Sequence, residues 1–157
     1  MELVQQTKFA LGTDNVLTVV TDSRQSAELL LEQIWDEIDD FEDRFSRFRV
    51  DSELSLFNLT AGKKMPITSA FKQLITAAIE MSRQTDGMYN PFILPALQQV
   101  GYKGSWPTYQ LADKRLDFSS RRLYPIDALE LGDDWAKIPR DSALDFGGIG
   151  KGFYWTN

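Results

Sequence analysis

The chain has 157 residues, a net charge of −6, 43% apolar and 12% aromatic side chains, and neither cysteine nor histidine. One domain of that size buries a real core, while the missing residue types exclude disulfides, Cys/His zinc sites, a cysteine nucleophile and a histidine base within this chain. The negative balance repels nucleic acid and anionic membrane, so neither is an expected partner.

In chain order, Phe9 and Leu11 alternate with polar neighbours, and Gly12-Thr13-Asp14-Asn15 carries turn chemistry. Val16 to Val20 is short and largely β-branched, as a strand would be. A long helix follows, capped by Asp22 or Ser23. Ala27, Leu30, Leu31, Ile34, Ile38, Phe41, Phe45 and Phe48 form its apolar stripe at three- and four-residue spacing. Asp36, Glu37, Asp39, Asp40, Glu42 and Asp43 lie between these positions and read as a solvated face in preference to a cation site. Asp51-Ser52-Glu53 marks a turn or a new cap, and Ala61 to Lys64 a second turn.

A second helix starts near Thr68, with Phe71, Leu74, Ile75, Ala78 and Ile79 facing inward. It ends at Asp86-Gly87, where glycine supplies a left-handed cap. Pro91 and Pro95 restrict the next stretch to a short helix, and a Gly- and aromatic-rich loop runs from Gly101 to Gln110. Short strands are expected at Leu123-Tyr124, Leu129 to Leu131, Trp135 to Ile138 and Leu144 to Phe146, with a hairpin at Gly132-Asp133-Asp134. Helices mixed with antiparallel hairpins make the class α+β. No repeat or linker divides the chain. No apolar run reaches the ~18–20 residues of a membrane helix. The N-terminus lacks a signal-peptide pattern, so the chain as written reads as cytoplasmic and not membrane-inserted.

Three stretches carry possible chemistry. Asp145-Phe146-Gly147-Gly148-Ile149-Gly150-Lys151-Gly152 places four glycines, a cation and a carboxylate where backbone could approach a nucleotide. It is neither a P-loop nor a dinucleotide fingerprint, because the spacing and the Mg-binding hydroxyl are wrong. A tight strand-to-helix turn explains the pattern equally well. Ser46-Arg47-Phe48-Arg49 sets an aromatic between arginines, suited either to stacking on a flat ring or to closing the helix stripe. Thr85 to Pro91 is a fixed loop, suited to binding or to a plain helix exit.

Taken together and in this order, these stretches resemble the ApbE-type flavin transferases, the FAD:protein FMN transferases. Leu11-Gly12-Thr13 is similar to that family's Met-Gly-Thr. Phe45 to Asn58 is similar to its Ser-x-Tyr, Asp-Ser-Glu and Asn segment. Asp86 to Pro91 is similar to its Gly-Ala-Phe-Asp loop, and Leu144 to Gly152 to its Leu-Asp-Leu-Gly-Gly-Ile-Ala-Lys-Gly.

The resemblance implies an ApbE-like fold: mixed or antiparallel sheet with two long helices. It implies Mg²⁺-dependent transfer of FMN from FAD to a Thr or Ser hydroxyl of a target protein. Hydrolysis of FAD to FMN and AMP, or flavin binding without turnover, are the alternatives. By position, Leu11, Phe48, Met88, Tyr89, Asn90, Asp145 and Lys151 would contact FAD, and the Gly148 carbonyl would meet Mg²⁺. Phe48 replaces the family's Tyr, Asn90 its Asp and Leu11 its Met, so a hydroxyl and a charge are lost while stacking and an acceptor remain. No catalytic side chain is identified. Family members are about twice as long, and many are exported. The 157 residues are therefore expected to be the N-terminal part of one such domain, inactive without the remaining metal ligands.

Overall fold

The computed structural model describes residues 1–102 and 123–156, so the expected loop at Gly101 to Gln110 falls mostly outside the described residues. Strands β1 (Glu2–Ala10) and β2 (Thr13–Thr21) form an antiparallel hairpin with Ala10 opposite Thr13. The loop is therefore Leu11-Gly12 and not the expected Gly12 to Asn15. Both loop residues have positive φ, 52° and 75°, as a two-residue hairpin turn matching the right-handed strand twist requires. Thr13 to Asn15 instead extend β2, and the Asn15 amide donates to the Ala10 carbonyl across the turn.

Helix α1 (Arg24–Phe45) starts at Ser23, whose hydroxyl accepts from the Ser26 N–H. Ala27, Leu31, Trp35 and Ile38 pack beneath the hairpin against Val4, Ala10 and Leu17. Trp35, absent from the expected stripe, is fully buried, with its indole N–H on Gln6 Oε1 at 2.8 Å. Leu30 and Phe48, both in that stripe, are exposed: Leu30 lies outside the cluster beneath the hairpin, and the helix ends before Phe48. The acidic residues stay at the surface or half-buried, paired in places, as with Asp40 and Arg44.

The far end of α1 enters a second core. Phe45 joins residues from α2 (Glu53–Leu59), capped by Ser52, and from α3 (Ser69–Gln84), capped by Thr68. Phe71 of α3 lies fully buried with its ring centroid 5.7, 5.3 and 5.9 Å from Phe45, Phe57 and Phe146. A small antiparallel sheet closes the other side: β3 (Met65–Pro66), β4 (Glu130–Leu131) and β5 (Trp135–Lys137), with β5 central.

After α3, Asp86 and Gly87 both take positive φ, and the Gly87 N–H reaches the Ser82 carbonyl at 2.8 Å. A 3₁₀ turn at Pro91–Ile93 and α4 (Leu94–Gln99) follow, as the two prolines allow. Leu123-Tyr124 and Leu144 to Phe146 are not strands. In the second, the backbone of Leu144 pairs with the Asn58 side chain and the Asp145 N–H with the Pro91 carbonyl, in place of a neighbouring strand. This segment leads into α5 (Gly150–Thr156). Among the described residues no helix is long and apolar enough to cross a membrane.

Phe71 joins three other rings with no exposed surface of its own, so truncating it opens a cavity at the junction of α1, α2 and the 144–146 segment. Phe71→Ala is expected to cost about 3–5 kcal/mol in urea unfolding. A loss below ~1 kcal/mol would show that this core rearranges around the gap.

Candidate functional site

Asn58 fixes the segment from which the site is built. Its amide donates to the Leu144 carbonyl at 3.0 Å and accepts from the Leu144 N–H at 2.8 Å. Both polar groups of a fully buried backbone residue are thereby satisfied without a neighbouring strand. The next N–H, that of Asp145, donates to the Pro91 carbonyl at 2.8 Å.

The Asp145 carboxylate is held from two sides. Oδ2 meets Arg47 Nε at 2.7 Å, and Oδ1 accepts from the Gly147 N–H at 2.8 Å. The Arg47 and Asp145 side chains are 9% and 8% exposed. A Cβ on Gly147 would lie 2.9 Å from Oδ1, so glycine is what lets the backbone fold over the carboxylate.

Arg47 is itself locked. Its guanidinium lies 4.3 Å from the ring centroids of both Phe48 and Tyr102, and Nη1 donates to the Tyr102 carbonyl at 3.2 Å. Nη2 is buried without a hydrogen-bond partner. The sequence suits Phe48 and its flanking arginines to framing a flat ligand. In the folded chain Arg47 is the flat group being stacked.

These residues wall a cleft of about 240 Å³. Leu11, Phe48, Asp145 and Lys151, four of the positions implied by the resemblance, line it together. Leu11 is brought there by the strained hairpin turn, and its N–H donates to Glu42 Oε2 at 3.1 Å. Phe48 is 39% exposed and presents ring surface. Lys151 is exposed and makes no ion pair among the described residues.

The other implied positions lie elsewhere. Met88 is 92% exposed and outside the cleft lining. The Asn90 side chain is spent locally, accepting from Phe92 N–H and donating to the Tyr124 carbonyl. Tyr89 packs against Gly148, where an added Cβ would come within 3.1 Å of the ring. The Tyr89 hydroxyl is buried without a partner; burial, and then the charge of Asp145, push its pKa well above the usual phenol range. Gly148 adjoins the cleft but does not line it. Among the described residues no group of three or more acidic side chains could hold a metal ion.

Local sequence pattern does not single out Glu42, Tyr102 or the Arg47–Asp145 pair. Glu42 sits inside an acidic run that otherwise faces solvent. Tyr102 is 55 residues from Arg47 and Asp145 is 98, and no local pattern reports such pairings.

The model of the ApbE family matches residues 11–156. The structure resembles an ApbE protein from Thermotoga maritima with a TM-score of 0.85 and 19% identity, over 98% of this chain and 50% of that one. It also resembles the flavinyl transferase ApbE of Pseudomonas stutzeri in its apo form (0.79, 21%, 98% and 50%) and the flavin transferase ApbE of Vibrio cholerae (0.77, 22%, 98% and 50%). At these identities the likeness is one of fold, and the chain spans about half the length of these solved structures. No match was found among curated proteins.

Asn58→Ala leaves the buried Leu144 N–H and C=O unpaired and is expected to cost about 2–3 kcal/mol in urea unfolding. Tyr89→Phe removes a buried hydroxyl that has no partner, so stability at neutral pH is expected to hold level or rise by about 1 kcal/mol. Because the phenol pKa is raised by folding, its contribution is complete below the unfolded value of ~10 and is lost as pH climbs beyond it. Wild type should therefore lose more stability than Tyr89→Phe above ~pH 10. Equal alkaline losses would contradict the burial of that hydroxyl.

Proposed function

The chain belongs to the ApbE family, and from that footing we propose that it carries the FAD-binding part of a flavin transferase that moves FMN onto a Thr or Ser hydroxyl of a target protein. The observation that supports this reading most is convergence. Leu11, Phe48, Asp145 and Lys151 come from three separate segments and meet at one cleft.

The chemistry of the walls suits such a ligand. Phe48 offers an aromatic surface on which an isoalloxazine or adenine ring can stack. The Lys151 ammonium can meet a pyrophosphate oxygen. The cleft's ~240 Å³ falls below the ~300–1,000 Å³ of pockets that enclose a drug-sized ligand. It therefore accommodates one part of FAD, with the rest extending beyond the described walls.

In the proposed reaction the acceptor hydroxyl oxygen bonds to the FMN phosphorus, the pyrophosphate P–O bond breaks, AMP departs with the electron pair, and the hydroxyl proton passes to the AMP phosphate or to water. Such transfer is governed by positioning and charge stabilisation. The part assigned to these residues is to hold the flavin ring and the pyrophosphate in register.

Mg²⁺ is also part of the reading. It demands about six oxygens in near-octahedral array. The described residues offer the Gly148 carbonyl and no acidic cluster, so they do not by themselves fit a complete Mg²⁺ site.

Titrating the chain with FAD, followed by flavin fluorescence with and without Mg²⁺, tests the reading. Saturable binding is expected, weakened roughly ten-fold by Phe48→Ala and by Lys151→Gln, which corresponds to ~1.4 kcal/mol each. Absence of FAD binding, or binding indifferent to both substitutions, would overturn it. Intact mass of a Thr-bearing acceptor then separates transfer from hydrolysis: an FMN adduct marks transfer, whereas free FMN and AMP mark hydrolysis.

A further inference from the structure

The cleft lies in an acidic protein and has a carboxylate built into its wall, yet the ligand assigned to it is a polyanion. Of the charged groups lining it among the described residues, Asp145 and Glu42 are negative, and Arg47 and Lys151 are positive. Each additional uncompensated carboxylate there would repel a pyrophosphate, and the repulsion is strong because a partly buried site screens charge poorly.

The geometry points to Arg47 as a charge-compensating positioning residue that makes the Asp145-bearing cleft permissive to an anionic nucleotide. Three contacts support this. The guanidinium meets the carboxylate at 2.7 Å with both side chains about nine-tenths buried, so the Asp145 charge is neutralised at its source. Two aromatic rings at 4.3 Å and the Tyr102 carbonyl at 3.2 Å hold the guanidinium in place, so a ligand phosphate cannot draw it off the carboxylate. Glu42 is not cancelled in the same way: its carboxylate accepts from the Leu11 N–H, a neutral donor.

The net effect is that Lys151 remains available to an incoming anion. Removing Arg47 changes the sum of these four charges from zero to minus one. It leaves the backbone at Asp145 held by the Asn58 clamp on Leu144 and by the Pro91 carbonyl, and one carboxylate oxygen held by the Gly147 N–H, none of which involves Arg47. Arg47 then acts on the ligand through Asp145 and need not touch it.

This inference rests on the reading of the cleft as an FAD site, and one experiment separates the two. FAD and riboflavin, which shares the ring system but carries no phosphate, are titrated against wild type, Arg47→Met, and Arg47→Met combined with Asp145→Asn. Circular dichroism and the thermal midpoint are recorded to confirm that each is folded. Arg47→Met is expected to weaken FAD at least ~10-fold and riboflavin less than ~3-fold, since only the former carries charge to be repelled. The double variant is expected to recover most of the FAD loss.

Equal losses for both ligands would mean that Arg47 serves only to place Phe48, and would overturn the inference while leaving the FAD site intact. The inference also fails if the double variant, folded, binds FAD no better than Arg47→Met. An Arg47→Met protein that fails to fold moves the comparison to Arg47→Lys, which keeps the charge. Lysine loses the stacking but keeps the cation beside Asp145, so FAD should weaken no more than riboflavin does, and a loss selective for FAD overturns the inference. If wild type binds neither ligand, the FAD reading fails and the inference falls with it.

Discussion

Taking a carboxylate out of water costs on the order of several kcal/mol unless a cation and hydrogen bonds replace its hydration. Asp145 meets that demand with the Arg47 guanidinium on one oxygen and the Gly147 N–H on the other. The arrangement ties the end of α1 to the segment leading into α5. It also seats the rings of Phe48 and Tyr102 against the guanidinium. Removing one partner would leave the other buried and unpaired, which is more damaging than never having had the pair.

The two cores give this junction a rigid base. Helix α1 lies under the hairpin through Trp35 and Ile38, then carries Phe45 into the cluster around Phe71. One 22-residue helix thus spans both cores and delivers Glu42 and the Ser46 to Phe48 turn to the cleft. The hairpin turn is anchored to the same helix, since Glu42 accepts from the Leu11 N–H. Positive φ at a leucine is uncommon. Its presence in a residue lining the cleft is consistent with strain tolerated where a site needs a particular backbone path.

Local signals in the sequence locate α1 and α3, whereas α2 is legible only as a turn or new cap at Asp51 to Glu53. Ser23, Ser52 and Thr68 cap as their side chains allow, and the α3 stripe from Phe71 to Ala78 is buried as its spacing indicates. Strand signals are weaker guides. Leu144 to Phe146 has the composition of a strand, but its backbone is satisfied by Asn58 and the Pro91 carbonyl. A side chain standing in for a neighbouring strand leaves no periodic trace. Trp35 is equally hard to read from the sequence, because its burial depends on the hairpin folding back over α1 and on Gln6 receiving its N–H.

Consecutive residues carry the α+β class, the places of α1 and α3, and the ordered motifs of the family. Helix caps, apolar period and motif order are local properties, written in consecutive residues. Tertiary structure decided which motif residues share a cleft. It brought Leu11, Phe48, Asp145 and Lys151 together, set Met88 in solvent, and turned Asn90 to capping its own loop. It also decided that Arg47 belongs to Asp145, a partner 98 residues away. Pairings at that distance are chosen by how the two cores pack, and packing is a property of the whole folded chain.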